Sequence, residues 1–229
     1  MQITTTPDIV GEVKDHPISE NFQVFRYQDG AHSYIPRNCF INWFGGFSEI
    51  GQVHWGKACT LGEGSKIRFD DPIQSIRLGN FVAGGRNLSL ILNGMHNINY
   101  MGMYIDNFPA LPAPHLGDMV IENDVWIGDE TMILGGSTIS NGTILGARSL
   151  VLPQTKLEPY GVYAGNPVKL IRFRFDPKVI ALLLDIKWWD RPLPWIHEHA
   201  RFFQFDLTAD LGKSLEMLTE LKQLAGRSS

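Results

Sequence analysis

The chain has 229 residues, 44% hydrophobic and 19% charged, and its 20 basic against 24 acidic side chains leave a formal net charge of -4. That size supports one folded domain with a small appendage, and a core that needs no disulfide or metal, because such a domain buries roughly 70% of the surface its unfolded chain exposes. The mild negative charge excludes sequence-independent binding to nucleic acid, which requires a strongly basic face.

Met1 to Asp8 carry neither a basic n-region nor an apolar h-region, so no secretory signal is visible. The longest apolar run, Val179 to Leu184, falls far short of the ~20 residues that cross a bilayer. The expectation is a cytoplasmic protein without a membrane span. Cys39 and Cys59 are too few for a disulfide scaffold and belong to no CxxC or Cys/His cluster. They read as small packing residues in a reducing compartment.

Residues 1–45 hold Pro7, Pro17, Gly30 and Pro36 among scattered aromatics such as Phe22, Phe25, Tyr27 and Tyr34. This composition predicts an irregular or short-stranded N-terminal cap, since aromatics at this density pack. Between 46 and 163 a period of six takes over. A weak set, Leu61, Ile67 and Ile73, leads into Leu78, Gly84 and Leu90. The 25 residues separating His96 from Ile121 are not a multiple of six, which predicts an excursion loop over 97–118.

Beyond it the repeat is uninterrupted: Ile121, Ile127, Ile133, Ile139, Leu145, Val151 and Leu157. Two places before these sit Met119, Val125, Thr131, Ser137, Thr143, Ser149 and Thr155, the last five small hydroxyl residues. A period of six fits neither the 3.6 of a helix nor the 2 of a strand. It fits a strand of about three residues followed by a corner. Three such sides close a triangular coil, so the aliphatic position stacks on itself down the axis, the signature of a parallel β-helix. Small residues suit the bends, where another backbone comes close.

From 164 to 229 the pattern turns helical. Asp176 as N-cap and Pro177 at the first position start one helix. Pro192-Leu193-Pro194 breaks it before a second segment through Trp195 and His199, and Leu215, Leu218, Leu221 and Leu224 mark a third. Their Trp and Leu stripes read as packing surface over the coils.

Several motifs together carry a family resemblance: Leu78-Gly79-Asn80-Phe81, Asn93-Gly94-Met95-His96, Asn123-Asp124-Val125-Trp126-Ile127-Gly128, and Ala164-Gly165-Asn166-Pro167-Val168-Lys169. With the tail Phe175-Asp176-Pro177 and Leu184 to Asp190, they resemble the hexapeptide-repeat acyltransferases over roughly residues 45–200, and within them the xenobiotic acetyltransferases that modify chloramphenicol or streptogramins. The resemblance implies a left-handed parallel β-helix, a homotrimer with active sites in the clefts between neighbouring copies, and acetyl-CoA lying along the coils as co-substrate. Handedness cannot be read from spacing.

Acyl transfer from a thioester needs a base for the acceptor's proton and a group that holds the developing oxyanion. Histidine suits the first task, with an unperturbed pKa of ~6.5. His96 is the candidate: it sits where the register breaks, and the resemblance makes the histidine of Asn-Gly-x-His the catalytic base. For the cofactor, the resemblance lays Trp126 against the pantetheine arm and brings Gly146-Ala147 to its amides, with Gly128 and Asn166 in the same group. Lys169, with Arg172 and Arg174 nearby, would face the nucleotide phosphates. On the acceptor side it points to Asn93, Tyr104, His54 and Trp55, the last two following Ile50-Gly51. His115 reads as a solvated loop residue.

Three departures from the family pattern bear on this. Val151-Leu152-Pro153-Gln154 stands where relatives carry Val-Thr-Lys-Asp, Gly102 to Phe108 replaces a Ser-Thr-Tyr-Pro-Phe run, and the excursion loop is short. The acceptor is therefore open between an antibiotic and a sugar, with its hydroxyl or amine as the acylated group. Two other readings stand beside acetyl transfer: a non-catalytic β-helix scaffold with a degenerate cofactor site, and a metallo-hydratase on the same fold. The second would need several converging histidines. Only His96 is expected in the regular coils, so no metal is expected.

Overall fold

The structure is a computed structural model that describes residues 2–5, 8–41, 52–69, 73–92, 94–102 and 114–227. The chain begins with β1 (Gln2–Thr5), then β2 (Ile9–Glu12), β3 (Phe22–Tyr27) and β4 (His32–Pro36), the last three forming an antiparallel sheet. Strands β5 (Phe40–Ile41), β6 (Gln52–Trp55), β7 (Lys66–Arg68), β8 (Ser75–Leu78), β9 (Ala83–Gly84) and β10 (Ser89–Ile91) precede the excursion. After it come β11 (Met119–Ile121), β12 (Trp126–Ile127), β13 (Met132–Leu134), β14 (Thr138–Ile139), β15 (Ile144–Leu145), β16 (Leu150–Val151) and β17 (Gly161–Ala164). Strand β18 (Lys169–Phe173) folds back antiparallel on β17.

Successive strands belong to different sheets. Sheet one runs β1-β6-β8-β11-β14, sheet two β5-β7-β10-β13-β16, and sheet three β9-β12-β15-β17-β18. All pairings but the last are parallel, so the chain winds as a three-sided parallel coil. The aliphatic column expected from the repeat is buried from Ile121 to Leu157. Its partners in register are Leu78 with Ile121, Gly84 with Ile127 and Leu90 with Ile133.

The first coil departs from the expected register. Trp55 pairs with Leu78, and the column upstream is Trp55, Leu61, Ile67, whereas Ile73 is 71% exposed. The cause is coil length. Lys57 meets Asn80 across 23 residues, Asn80 meets Asn123 across 43, and Asn123 meets Asn141 across 18. The five residues by which the first exceeds the last lie between β7 and β8, and the larger surplus lies between β10 and β11. Both insertions leave the coil at one edge, where sheet two turns into sheet one, which keeps the hydrogen-bonded walls intact.

Polar groups inside the coil explain the small hydroxyl residues. Thr131 Oγ1 donates to Gly146 O at 3.1 Å, Ser137 Oγ to Leu152 O at 2.9 Å and Thr143 Oγ1 to Glu158 O at 3.3 Å, each across 15 residues. A buried corner carbonyl without such a donor would cost roughly 1–3 kcal/mol. At Gly84 the aliphatic position itself must be empty. A β-carbon there would lie 2.6 Å from Leu61 Cδ2 and 2.9 Å from Leu88 Cδ1.

The C-terminal segment builds a second core. Helix α1 (Pro177–Ile186) starts as expected, with Asp176 accepting from Lys178 N. It is followed by the 3-10 turn Trp188–Asp190, α2 (Leu193–Glu198), the short α3 (Ala200–Phe203), which the sequence reading missed, and α4 (Leu211–Arg227). Val179, Leu183 and Ile186 pack with Leu218, Leu221 and Ala225, and Lys222 pairs with Asp185 across the two long helices.

A largely buried ion pair ties three parts of the chain together. Lys57 Nζ, on the first coil, donates to Asp29 Oδ2 at 2.9 Å and to Arg191 O at 2.7 Å. Asp29, in the turn after β3, also accepts from Ala31 N and Leu193 N at 3.1 Å. Burial alone would raise the Asp29 carboxyl, but the hydrogen bond from Lys57 and those from the two backbone N–H groups outweigh it and hold the pKa below the usual carboxylate value.

Two outcomes follow. Gly84→Val should lower stability by roughly 1–3 kcal/mol through overpacking, read as a reduced Tm with an unchanged circular dichroism spectrum. Because the Asp29 pKa is depressed on folding, its stabilisation is present above the unfolded value of about 4 and is lost as pH falls through the folded one. Wild type should therefore lose Tm more steeply than Asp29→Asn below pH 4 in a thermal-unfolding series, and matching slopes would count against the ion pair.

Candidate functional site

The sequence-predicted cofactor residues share one sheet and the corner that follows it. Trp126 on β12 lies between Ala83 and Ile144 in register, points outward and is 58% exposed. Its wall continues through Val162 of β17 to β18, where Lys169 and Arg172 are exposed. At the corner from sheet three to sheet two, Gly128 N donates to Leu145 O and Gly146 N to Tyr163 O, both at 2.8 Å. Gly146 O already accepts from Thr131 Oγ1 and Ser149 Oγ. The backbone of Gly128 and Gly146 is thus largely used in stacking the coils, while Ala147 and Asn166 stand exposed.

His96 belongs to a different edge. It follows β10 in the stretch outside the strands where the excursion leaves, is exposed, and lies two residues after Gly94, whose φ is +110°. That conformation favours glycine, and the space is also closed: a β-carbon on Gly94 would meet Arg68 Nη2 at 2.4 Å. Arg68, on β7 one coil earlier, therefore lies against the backbone of the Asn-Gly-x-His motif. Sequence reading missed it, because Arg68 meets Ile91 only once the first coil is known to hold 23 residues.

His54 lies within the coil, on β6 of sheet one and in register with Arg77, which corrects the expectation that only His96 would do so. Trp55 is corrected as well: it occupies the axial column at 1% exposure and does not line an open pocket. Its indole N–H has no hydrogen-bond partner among the described residues. The side-chain alternation of a strand separates the two, since neighbours on β6 face opposite ways. Asn93 and Tyr104 lie outside the described residues. His115 is exposed, and its Nδ1 accepts from Gly117 N at 3.2 Å.

Arg174 turns away from Lys169 and Arg172. Its Nη1 donates to Asp124 Oδ2 and to Gly142 O, both at 2.9 Å. Desolvation raises the Asp124 carboxyl against the pull of Arg174. Both cysteines are free and buried, and burial pushes each thiol up to about 12. No cluster of three or more His, Cys, Asp or Glu able to hold a metal occurs among the described residues, nor is any described helix long and apolar enough to cross a membrane.

Comparison with known proteins gives these relationships. No protein-family profile matches the chain. A chloramphenicol acetyltransferase from Agrobacterium fabrum is 38% identical over 136 residues, 54% of this chain and 63% of that protein. A protein from Lysinibacillus sphaericus described as "Probable macrolide acetyltransferase" is 36% identical over 49% of this chain and 68% of its own length. Among solved structures, a hexapeptide-repeat-containing acetyltransferase from Vibrio cholerae aligns with a TM-score of 0.41 at 23% identity, over 60% of this chain and 68% of that one. The match spans 63% of the first of these relatives, slightly under two thirds.

Proposed function

From the premise that this chain belongs to the chloramphenicol acetyltransferase family of hexapeptide-repeat proteins, we propose that it moves an acetyl group from acetyl-CoA to a hydroxyl or amine of a small-molecule acceptor, with His96 as general base. The observation that carries the reading is the wall of Trp126, Lys169 and Arg172, an exposed aromatic at one end and two exposed cations at the other, with exposed Ala147 at its corner. A pantetheine arm needs the first and nucleotide phosphates need the second.

His96 leaves the coil at the edge between sheets two and one, whereas this wall ends at the edge between sheets three and two. A second copy set against the first would join the two halves. We therefore assign a closed three-fold assembly of left-handed β-helices, each cleft drawing residues from two chains, working in the cytoplasm, where two unpaired thiols persist.

In the step itself, the acceptor oxygen or nitrogen attacks the thioester carbonyl while its proton passes to the His96 imidazole. The tetrahedral intermediate then collapses. It expels the coenzyme A sulfur, which takes that proton, and leaves the acetyl group on the acceptor. Transfer is direct. Thiols buried and raised as Cys39 and Cys59 are supply no thiolate nucleophile.

The acceptor is an antibiotic or a sugar. Thiol release from acetyl-CoA, followed against chloramphenicol, streptogramin A and nucleotide-linked amino sugars, distinguishes them. His96→Ala should lower turnover by roughly 100-fold or more with the Tm unchanged, and near-normal turnover in that variant would sink the mechanism. Trp126→Ala should raise the KM for acetyl-CoA by about tenfold and leave kcat nearly unchanged, as expected for a contact made equally in ground and transition states. If coenzyme A shows no saturable binding at all, the chain is a scaffold and the proposal fails.

A further inference from the structure

Between the coil and the C-terminal helices lies a cavity of about 370 Å³. None of the residues proposed for acetyl transfer lines it. Its floor is formed by Asp124, Tyr160 and Arg174, its walls are mostly apolar and aromatic, with Phe175, Trp188 and Phe202 prominent, and the exposed Asp206 also lines it. A dry apolar cavity of about 150 Å³ already accepts benzene, so this one has room for a substituted aromatic ring.

The polar groups at the floor are incompletely used. Tyr160 is 1% exposed, and its buried hydroxyl closes no hydrogen bond of full geometry among the described residues. The Trp188 indole N–H comes close enough to act as a weak donor to the hydroxyl oxygen, short of a bond of full geometry, so the hydroxyl proton keeps no acceptor among the described residues. Leaving a buried hydroxyl unpaired is costly, and native structures rarely carry that cost without a reason. The guanidinium of Arg174 stacks 5.3 Å from the Tyr160 ring and 5.0 Å from the Phe175 ring. Both of its hydrogen bonds leave from Nη1, so Nε and Nη2 make none among the described residues. The floor thus offers spare donors and ring faces.

Charge narrows the ligand further. Arg174 is already neutralised by Asp124 at 2.9 Å. An incoming anion would face the Asp124 and Asp206 carboxylates, and an incoming cation would compete with Arg174 for Asp124. We propose that this cavity is a second binding site, separate from the acetyl-transfer wall, for a neutral planar aromatic molecule carrying one acceptor oxygen, with the Tyr160 hydroxyl as its donor.

Titration calorimetry of the full chain with acetophenone, ethylbenzene and benzoate tests this. Acetophenone should bind saturably and roughly fivefold more tightly than ethylbenzene, the worth of one hydrogen bond, and benzoate should bind more weakly than acetophenone. Tyr160→Phe should erase the preference for acetophenone, leave ethylbenzene binding intact and not lower the Tm. Leu218→Trp, which fills the cavity, should abolish binding of both. Failure of acetophenone to saturate, or an unchanged preference in Tyr160→Phe, overturns the proposal.

Discussion

Coil register is the constraint from which the rest of this molecule follows. Each strand spends its backbone hydrogen bonds on the strand one coil above and one coil below, so a residue is tied to its counterpart and every coil must keep one cross-section. Val120 N donates to Ser137 O, Met132 N to Ser149 O and Thr138 N to Thr155 O, all within 2.8–2.9 Å. Corners recur in columns for the same reason. Phe81, Asp124, Gly142 and Tyr160 all have positive φ and stack at one edge, while Asn87, Glu130 and Arg148 do so at the next. These are conformations that non-glycine residues adopt at a cost. The stacked asparagines Asn80, Asn123 and Asn141, closed by Glu122, bond side chain to backbone up the first of these edges.

Extra chain can enter such an object only where it does not disturb the ladders. Both insertions, the short one before β8 and the excursion before β11, emerge at the same edge. His96 lies at the root of the larger one, and Arg68 on the coil below lies against Gly94 beside it. The opposite requirement holds on sheet three, where the wall carrying Trp126 is parallel and takes no insertion from β9 to β17, and only β18 folds back with a register shift at Val162 and Tyr163. Regularity gives a long flat surface, on which the proposed cofactor would lie, and the inserted edge carries the proposed base. A single chain keeps the two apart, which is the physical reason for proposing an assembled site.

The helical segment depends on the coil in turn. Its aromatic residues cover the corner column at Tyr160, and the Lys57–Asp29 pair with its bonds to Arg191 O and Leu193 N joins the N-terminal hairpin, the first coil and the second helix. The cover is imperfect at the floor formed by Asp124 and Arg174, where polar corner groups meet an apolar layer. There the Tyr160 hydroxyl closes no full hydrogen bond among the described residues.

The sequence by itself determined the repeat, the axial column from Ile121 to Leu157, the hydroxyl positions before it and the helix start at Asp176-Pro177. All of these are local or strictly periodic, and a period of six has no other compact explanation. It did not determine the first coil. Ile73 was in phase by count, but five inserted residues moved the column to Trp55, because register is decided by which backbone groups pair and not by spacing alone. Arg68, the Lys57–Asp29 pair and the turning of Arg174 toward Asp124 were equally illegible. Each joins residues brought together only when coils stack, by electrostatics and packing that have no signature along the chain.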